Sequence, residues 1–474
     1  MLHPDRLLPA DEPTRSIARQ IYSHVKDLPI ISPHGHVPAQ WLADNRHFDN
    51  PTSLLLTPDH YTNRLLHSIA GIDLADLGVP VGSPITQAQA RTAFRLLCAH
   101  WKYLAGTSVR SWFEAEFADV FGLDVIPSED TADHIYDHIA ECLETEQFRP
   151  RALYERFNIS LLATTDDPCS DLDAHQRLDA DPTWHGRVVP TFRPDAYLEP
   201  ARPGFSALID TLGHVADTDT RTYAGHVEAM RVRRQYFKDH GAISSDHSHA
   251  DPGTQRLSDQ EAEYLYRSAL AGTISPSDGD RLRRHMINDQ ARLACEDGLV
   301  MTMHPSVYRN HDQAAYERFG ADIGGDIPAS VEFTRNLQPL LSAYGNHPNF
   351  HLILFTIDET VYSRELAPLA GYYRGVYVGA PWWFIDEADA MARFRSAVTG
   401  YAGFYKTSGF VDDTRAFCSI PARHDLSRRV DAGFLAGLVS QHRVEREEAI
   451  QIAQDLVTTI PERAFNVKGS RENG

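Results

Sequence analysis

The stretch LPIISPHGHV, Leu28 to Val37, decides how the rest of the chain is read. An apolar run that ends in His34-Gly35-His36 has the form of a buried strand delivering two imidazoles to one spot. Residues i and i+2 of a strand point to the same face. Two imidazoles side by side at a strand end make half of a metal site. Alone, a His-x-His is most often a solvated turn. Here the chain goes on to place polar, ligand-type residues after one apolar run after another.

Working outward, short β-branched runs recur at Leu28–Ile31, Ile159–Thr164, Arg187–Phe192, Ala242–Ser245, Leu299–Met303, His351–Thr356, Gly375–Gly379 and Gly409–Val411. Amphipathic segments separate them, the pattern of parallel βα units. Runs as continuously apolar as HLILFT fit strands covered on both faces. Eight such units predict an α/β fold, a (β/α)8 TIM-type barrel with its active site at the C-terminal strand ends. The first connection breaks the rhythm. Residues 45–150 carry helical apolar spacing, as in SVRSWFEAEFADVF, and are expected to form a large helical insertion within a single barrel spanning 1–474. Asp246–Gly279 is expected to be a second loop-and-helix excursion, and the polar tail Lys468–Gly474 to fray.

Composition narrows the partners. The 474 residues carry a formal net charge of −20, which argues against nucleic acid or an anionic membrane surface. Five scattered cysteines show no metal or disulfide spacing. With no signal-type leader and no apolar run of membrane-spanning length, a cytoplasmic protein with reduced thiols is expected.

Read at their C-terminal ends, the strands deliver His34 and His36, Arg193 and Asp195, Asp246 and His247, His304, Trp382 and Trp383, and Asp412, Asp413 and Arg415. Asp59, His60, Tyr61 and Arg64, in the helical segment, add a phenol and cationic groups near the mouth. Histidines, arginines, a carboxylate and aromatics on one face of one barrel are what an enzyme of small polar substrates requires.

At this point the chain resembles the uronate isomerases of the amidohydrolase superfamily. The resemblance rests on PHGHV with LADNRHF, DHYTNR, TTDDP, PTFRPD, SSDH, MHPSVYRNH, VGAPWWF, and VDDTRAF followed by RHD. It implies interconversion of D-glucuronate with D-fructuronate, and of D-galacturonate with D-tagaturonate, by proton transfer through a cis-enediol. It also implies self-association into a homo-oligomer. Of the superfamily's ligand pattern this chain keeps His34, His36 and Asp413, which implies one divalent ion there; zinc suits those ligands, and manganese or another divalent ion is the alternative. The fourth strand has no Lys and the sixth, ending Phe355-Thr356-Ile357-Asp358, no His, so a two-metal centre lacks ligands. His304 is either a further ligand or a contact to substrate or water.

The implied roles follow from the chemistry. Arg193 is expected on the C6 carboxylate, with His60 and Arg423 behind it, because arginine binds carboxylate bidentately and keeps its charge. Tyr61 is expected to take the C2 proton, with Arg415 lowering its pKa. Asp413 would handle hydroxyl protons, and Trp382 and Trp383 would cover the apolar face of the sugar. His247 and His304 complete the candidate substrate contacts. The alternatives are a mononuclear metal-dependent hydrolase on the same barrel and a silent sugar-acid binding protein.

Overall fold

The computed structural model describes residues 2–467, so the expected fraying of Lys468–Gly474 lies outside the described residues. Seven strands stand at the positions of the apolar runs: Ile30–Ser32, Ile159–Ala163, Val188–Val189, Ser244–His247, Val300–Met303, Leu352–Leu354 and Val376–Val378. Every pairing between neighbours in this series is parallel. The first three strands form one ladder and the last four another. A bridge from Phe192 to Ser245 joins them, and a second, from Val378 to Thr407, leads to the eighth position. From there the His36 N–H donates to the Thr414 carbonyl at 3.0 Å, bringing the last barrel position back to the first. The result is a (β/α)8 barrel.

Two expected strands are cut short, each for a local reason. The third stops at Val189 because Pro190 has no N–H to give the ladder. At Gly409–Val411 no ladder forms among the described residues. Gly409 sits at φ +71°, outside strand geometry. The Ser408 hydroxyl donates to the Gly409 carbonyl at 2.7 Å and accepts from the Ala380 N–H at 2.9 Å, replacing the ladder bonds. A Cβ at residue 409 would meet Pro461 Cδ at 2.8 Å, so this turn admits only glycine.

Inside the barrel, Ile31, Leu161, Val189, Ile243, Val300, Ile353 and Tyr377 form one buried cluster, closed by Phe465 and Val467. Each fully buried large side chain there is worth about 1.5–3 kcal/mol over exposure. Helices fill the connection between the first two strands, among them His60–Ala70, Gln87–Ala99, Ser108–Ala115 and Ala132–Leu143. His60–Ala70 begins where it does because Asp59 caps it, its Oδ1 accepting from the N–H groups of Tyr61 and Thr62. That cap puts His60 and Tyr61 in the first turn. The segment after the fifth strand contains a short antiparallel hairpin, Val307–Tyr308 with Ile327–Pro328, which the sequence reading did not anticipate.

Candidate active site

The strand ends and the helix His60–Ala70 enclose a cavity of about 780 Å³. Of the expected site residues, His34, His36, His60, Tyr61, Arg193, His304, Trp382, Trp383, Asp413, Arg415 and Arg423 line it. His247 does not. It follows Asp246 in the strand and therefore faces the other way, its Nδ1 bonded to the Thr302 carbonyl at 3.1 Å. The residue that does enter the cavity from this strand is Asp246.

At the floor, Nε2 of His36 and of His34 lie 3.0 and 3.5 Å from the same Asp413 Oδ1. Asp413 reaches that position from a left-handed backbone, φ +41°, which aspartate tolerates better than most residues. His304 stacks on His34 with centroids 4.7 Å apart. Its Nδ1 bonds Asp246 Oδ1 at 2.7 Å, which fixes the tautomer and leaves Nε2 free to donate a lone pair. His34 Nδ1 and His304 Nε2 are buried with no hydrogen-bond partner among the described residues. Buried polar atoms left unpaired in this way cost stability unless something else binds them.

Two overlapping donor sets are close enough to hold a cation, His34–His36–Asp413 and His34–Asp246–His304. Their protonation fits metal binding. Burial pushes the His34 imidazole down to about 4 despite Asp246 and Asp413, so it is neutral at neutral pH. Burial would raise the Asp413 carboxyl, but His34 and His36 outweigh it and hold it well below the carboxylate range. Asp246 is likewise lowered against its burial by His304, His34 and Arg193. A neutral His34 and ionised Asp413 and Asp246 are forms that can bind a divalent ion.

Arg193 stands beside this floor, its Nε 2.9 Å from Asp195 and 3.5 Å from Asp246. Trp382 packs edge-on against His304 with centroids 4.7 Å apart, and Arg309 lies 5.4 Å from the Trp383 ring. His60 Nε2 is buried without a partner among the described residues, and burial together with Arg415 holds that imidazole down to about 4.

Tyr61 departs from expectation. Arg415 does not face it; the Arg415 guanidinium pairs instead with Asp322 at 3.0 Å, on the segment that carries the unanticipated hairpin. The cation beside the phenol is Arg423, 5.4 Å from the ring centroid. The Tyr61 hydroxyl donates to both carboxylate oxygens of Asp386, each at 2.8 Å. Burial and then Asp386 push the phenol well above its ordinary pKa, and Arg423 only partly opposes them. Arg423 itself is buried, with Nη1 on Asp386 Oδ2 at 2.9 Å and its guanidinium stacked 3.5 Å from the Trp112 ring. Asp386 and Arg309 were missed from sequence. Asp246 was seen only as the neighbour of His247, and strand register was the signal that could have chosen between them.

The fold and site define a (β/α)8 barrel whose C-terminal mouth carries a His-x-His and carboxylate set that could hold a cation. The glucuronate isomerase family model matches residues 13–465. A uronate isomerase of Cutibacterium acnes is 53% identical over 98% of both chains, and one of Corynebacterium efficiens is 51% identical over the same shares. The crystal structure of glucuronate isomerase from Caulobacter crescentus superposes with a TM-score of 0.96 at 44% identity, covering 99% of this chain and 97% of that one. The chain belongs to the glucuronate isomerase family and is an isomerase. The hydrolase alternative is not favoured. No helix among the described residues is long and apolar enough to cross a membrane.

Proposed function

We propose that this enzyme interconverts D-glucuronate with D-fructuronate, and D-galacturonate with D-tagaturonate, through a cis-enediol. One divalent ion, zinc, would be held by His34, His36 and Asp413. The observation that carries the reading is the meeting of two overlapping metal-donor sets with Arg193 and Tyr61 in one cavity. When bound, the ion supplies Lewis-acid polarisation of the substrate's carbonyl and neighbouring hydroxyl oxygens.

The chain's own residues do the rest. Arg193 is held through Nε by Asp195 and Asp246. Its remaining N–H groups take the C6 carboxylate, and His60 completes that end. Trp382 and Trp383 cover the apolar face of the sugar and exclude water. Tyr61 faces the C2 hydrogen, and one group on one face can return the same proton to C1. Asp413 serves the hydroxyl protons during ring opening, while Arg415 and Arg423 steady the negative charge of the enediolate. A cytoplasmic, self-associating enzyme completes the reading, in keeping with five unpaired thiols.

The test is incubation with glucuronate in deuterated water. Ketose carrying label at C1 is the expected product. An enzyme that leaves glucuronate unchanged, or that releases a hydrolysis product from a uronate ester or lactone instead, refutes the reading.

A further inference from the structure

Asp386 belongs to neither donor set, yet it is the group bound to the Tyr61 hydroxyl. It is buried, 7% exposed, behind the cavity lining, in contact with Tyr61 and Arg423, which both line it. It reaches Tyr61 from a strained turn. Phe384, two residues earlier, has φ +70°, a left-handed region that a bulky residue rarely adopts. The strain is sustained by packing: the Phe384 ring stacks on Trp383, centroids 5.0 Å apart, and the Arg64 guanidinium lies 4.5 Å over it. Arg64 and Tyr61 share the helix His60–Ala70, so the same helix that carries the phenol braces the turn that carries the carboxylate. Arg423 also holds Asp386, its Nη1 donating to Oδ2 at 2.9 Å. A phenol already donating to a carboxylate is a poor free base, but it can accept a proton while handing on its own.

We propose that Asp386 is a positioning and proton-holding residue that acts through Tyr61. The substrate C2–H bond breaks and its proton moves to Tyr61 Oη. The Oη–H proton passes to the Asp386 carboxylate. The C–H electron pair becomes the C1–C2 double bond of the enediolate, and the carbonyl π pair moves to O1. At C1 the stored proton returns through Tyr61 Oη as the C1–C2 π pair forms the new C1–H bond, while the O2–H proton passes to O1 and its bond pair becomes the C2 carbonyl π bond. Asp386 is then ionised again and no external acid or base is consumed. Burial favours the neutral carboxyl of Asp386 and raises its pKa, against the pull of Arg423 and Tyr61, which suits temporary proton storage. The groups facing it are Tyr61 from the helix His60–Ala70, Arg423 from the helix Ile420–Ser440, and Asp413 from the eighth barrel position.

The proposal rests on the reading of Tyr61 as the residue that faces C2, and the experiment separates the two. The metal-loaded parent, Asp386→Asn, Tyr61→Phe and the double variant are compared on glucuronate. Asp386→Asn is expected to lose about 10²–10⁴ in kcat, with KM and bound metal close to the parent's. The double variant should be no slower than Tyr61→Phe, because the two groups act as one unit. An Asp386→Asn enzyme within about threefold of the parent in kcat overturns the role of Asp386 while leaving Tyr61 in place. Single losses that multiply in the double variant also overturn it. A Tyr61→Phe enzyme at parental rate removes both. Should Asp386→Asn fail to fold, Asp386→Glu decides: it keeps a carboxylate, and is expected to turn over more slowly with a displaced acid limb in its pH–rate profile. Parental kcat and an unmoved limb overturn the proposal.

Discussion

At the residue scale, the floor of the cavity predicts its own behaviour. His34 and His36 converge on one carboxylate oxygen of Asp413, at 3.5 and 3.0 Å, so each substitution removes one of the three groups that could share an ion. His34→Ala and Asp413→Ala should each lower bound metal and turnover together, as elemental analysis and ketose formation would report. Full metal occupancy in the double variant would place the ion elsewhere. Arg193 makes a second, independent case. Its loss should cost about 2–5 kcal/mol of transition-state binding for a substrate bearing a carboxylate, since that group would be left buried without a cation. Arg193→Met should therefore reduce kcat/KM for glucuronate far more than for glucose, and equal losses on both sugars would reveal a purely structural arginine. His34, His36, Asp413 and Arg193 were legible because each closes an apolar strand run. Asp386 was not, because its partner Tyr61 is 325 residues away and no local pattern announces a tertiary pair.

At the scale of elements, strand positions were legible wherever a run is apolar on both faces, and the helical character of the first long connection could be read from its periodicity. Bounds failed where one residue overrode its run, at Pro190 and at Gly409. The hairpin Val307–Tyr308 with Ile327–Pro328 was invisible because it has only two residues a side, one strand of them exposed, too short for any periodicity. It matters nonetheless, because the segment it closes packs on the helix carrying His60 and Tyr61. Gly324 in that segment has φ +89°, and a Cβ there would lie 3.1 Å from the His60 carbonyl oxygen and 3.3 Å from Arg64 Cβ. Gly324→Ala must pay for a left-handed backbone, about 1–2 kcal/mol, and also push the segment away from the helix. The expected result is a lower urea midpoint together with a fall in kcat/KM, as His60 and Tyr61 lose their support. Parental values in both measurements would mean that the segment yields freely and takes no part in holding the helix.

At the scale of the whole molecule, buried ionisable groups of opposite sense make stability depend on pH. His226 is the clearest probe. It does not line the cavity; it packs between Tyr223 and Tyr266, and neither ring nitrogen has a hydrogen-bond partner among the described residues. Burial lowers its pKa to about 4 in the folded chain, against about 6.5 when unfolded. Above pH ~6.5 both states carry it neutral and its contribution is fully present. As pH falls toward 4 the unfolded chain binds a proton that the folded chain refuses, so stability is lost at about 1.4 kcal/mol per pH unit. His175 and His247, also lowered to about 4 by burial, act in the same direction. Asp166, raised by burial to about 6, and Glu116, raised further, act in the opposite one, since the folded chain binds their protons more readily. The total slope is therefore partly cancelled, and a difference experiment isolates one group. His226→Phe keeps an aromatic ring between the two tyrosines and removes the titration. Measured by urea unfolding, its stability relative to the parent should rise by about 2 kcal/mol between pH 7.5 and pH 5.0, nearly all of it below pH ~6.5. A difference that stays constant across that range would show that His226 binds its proton equally well folded and unfolded, and that its burial is relieved before the chain unfolds.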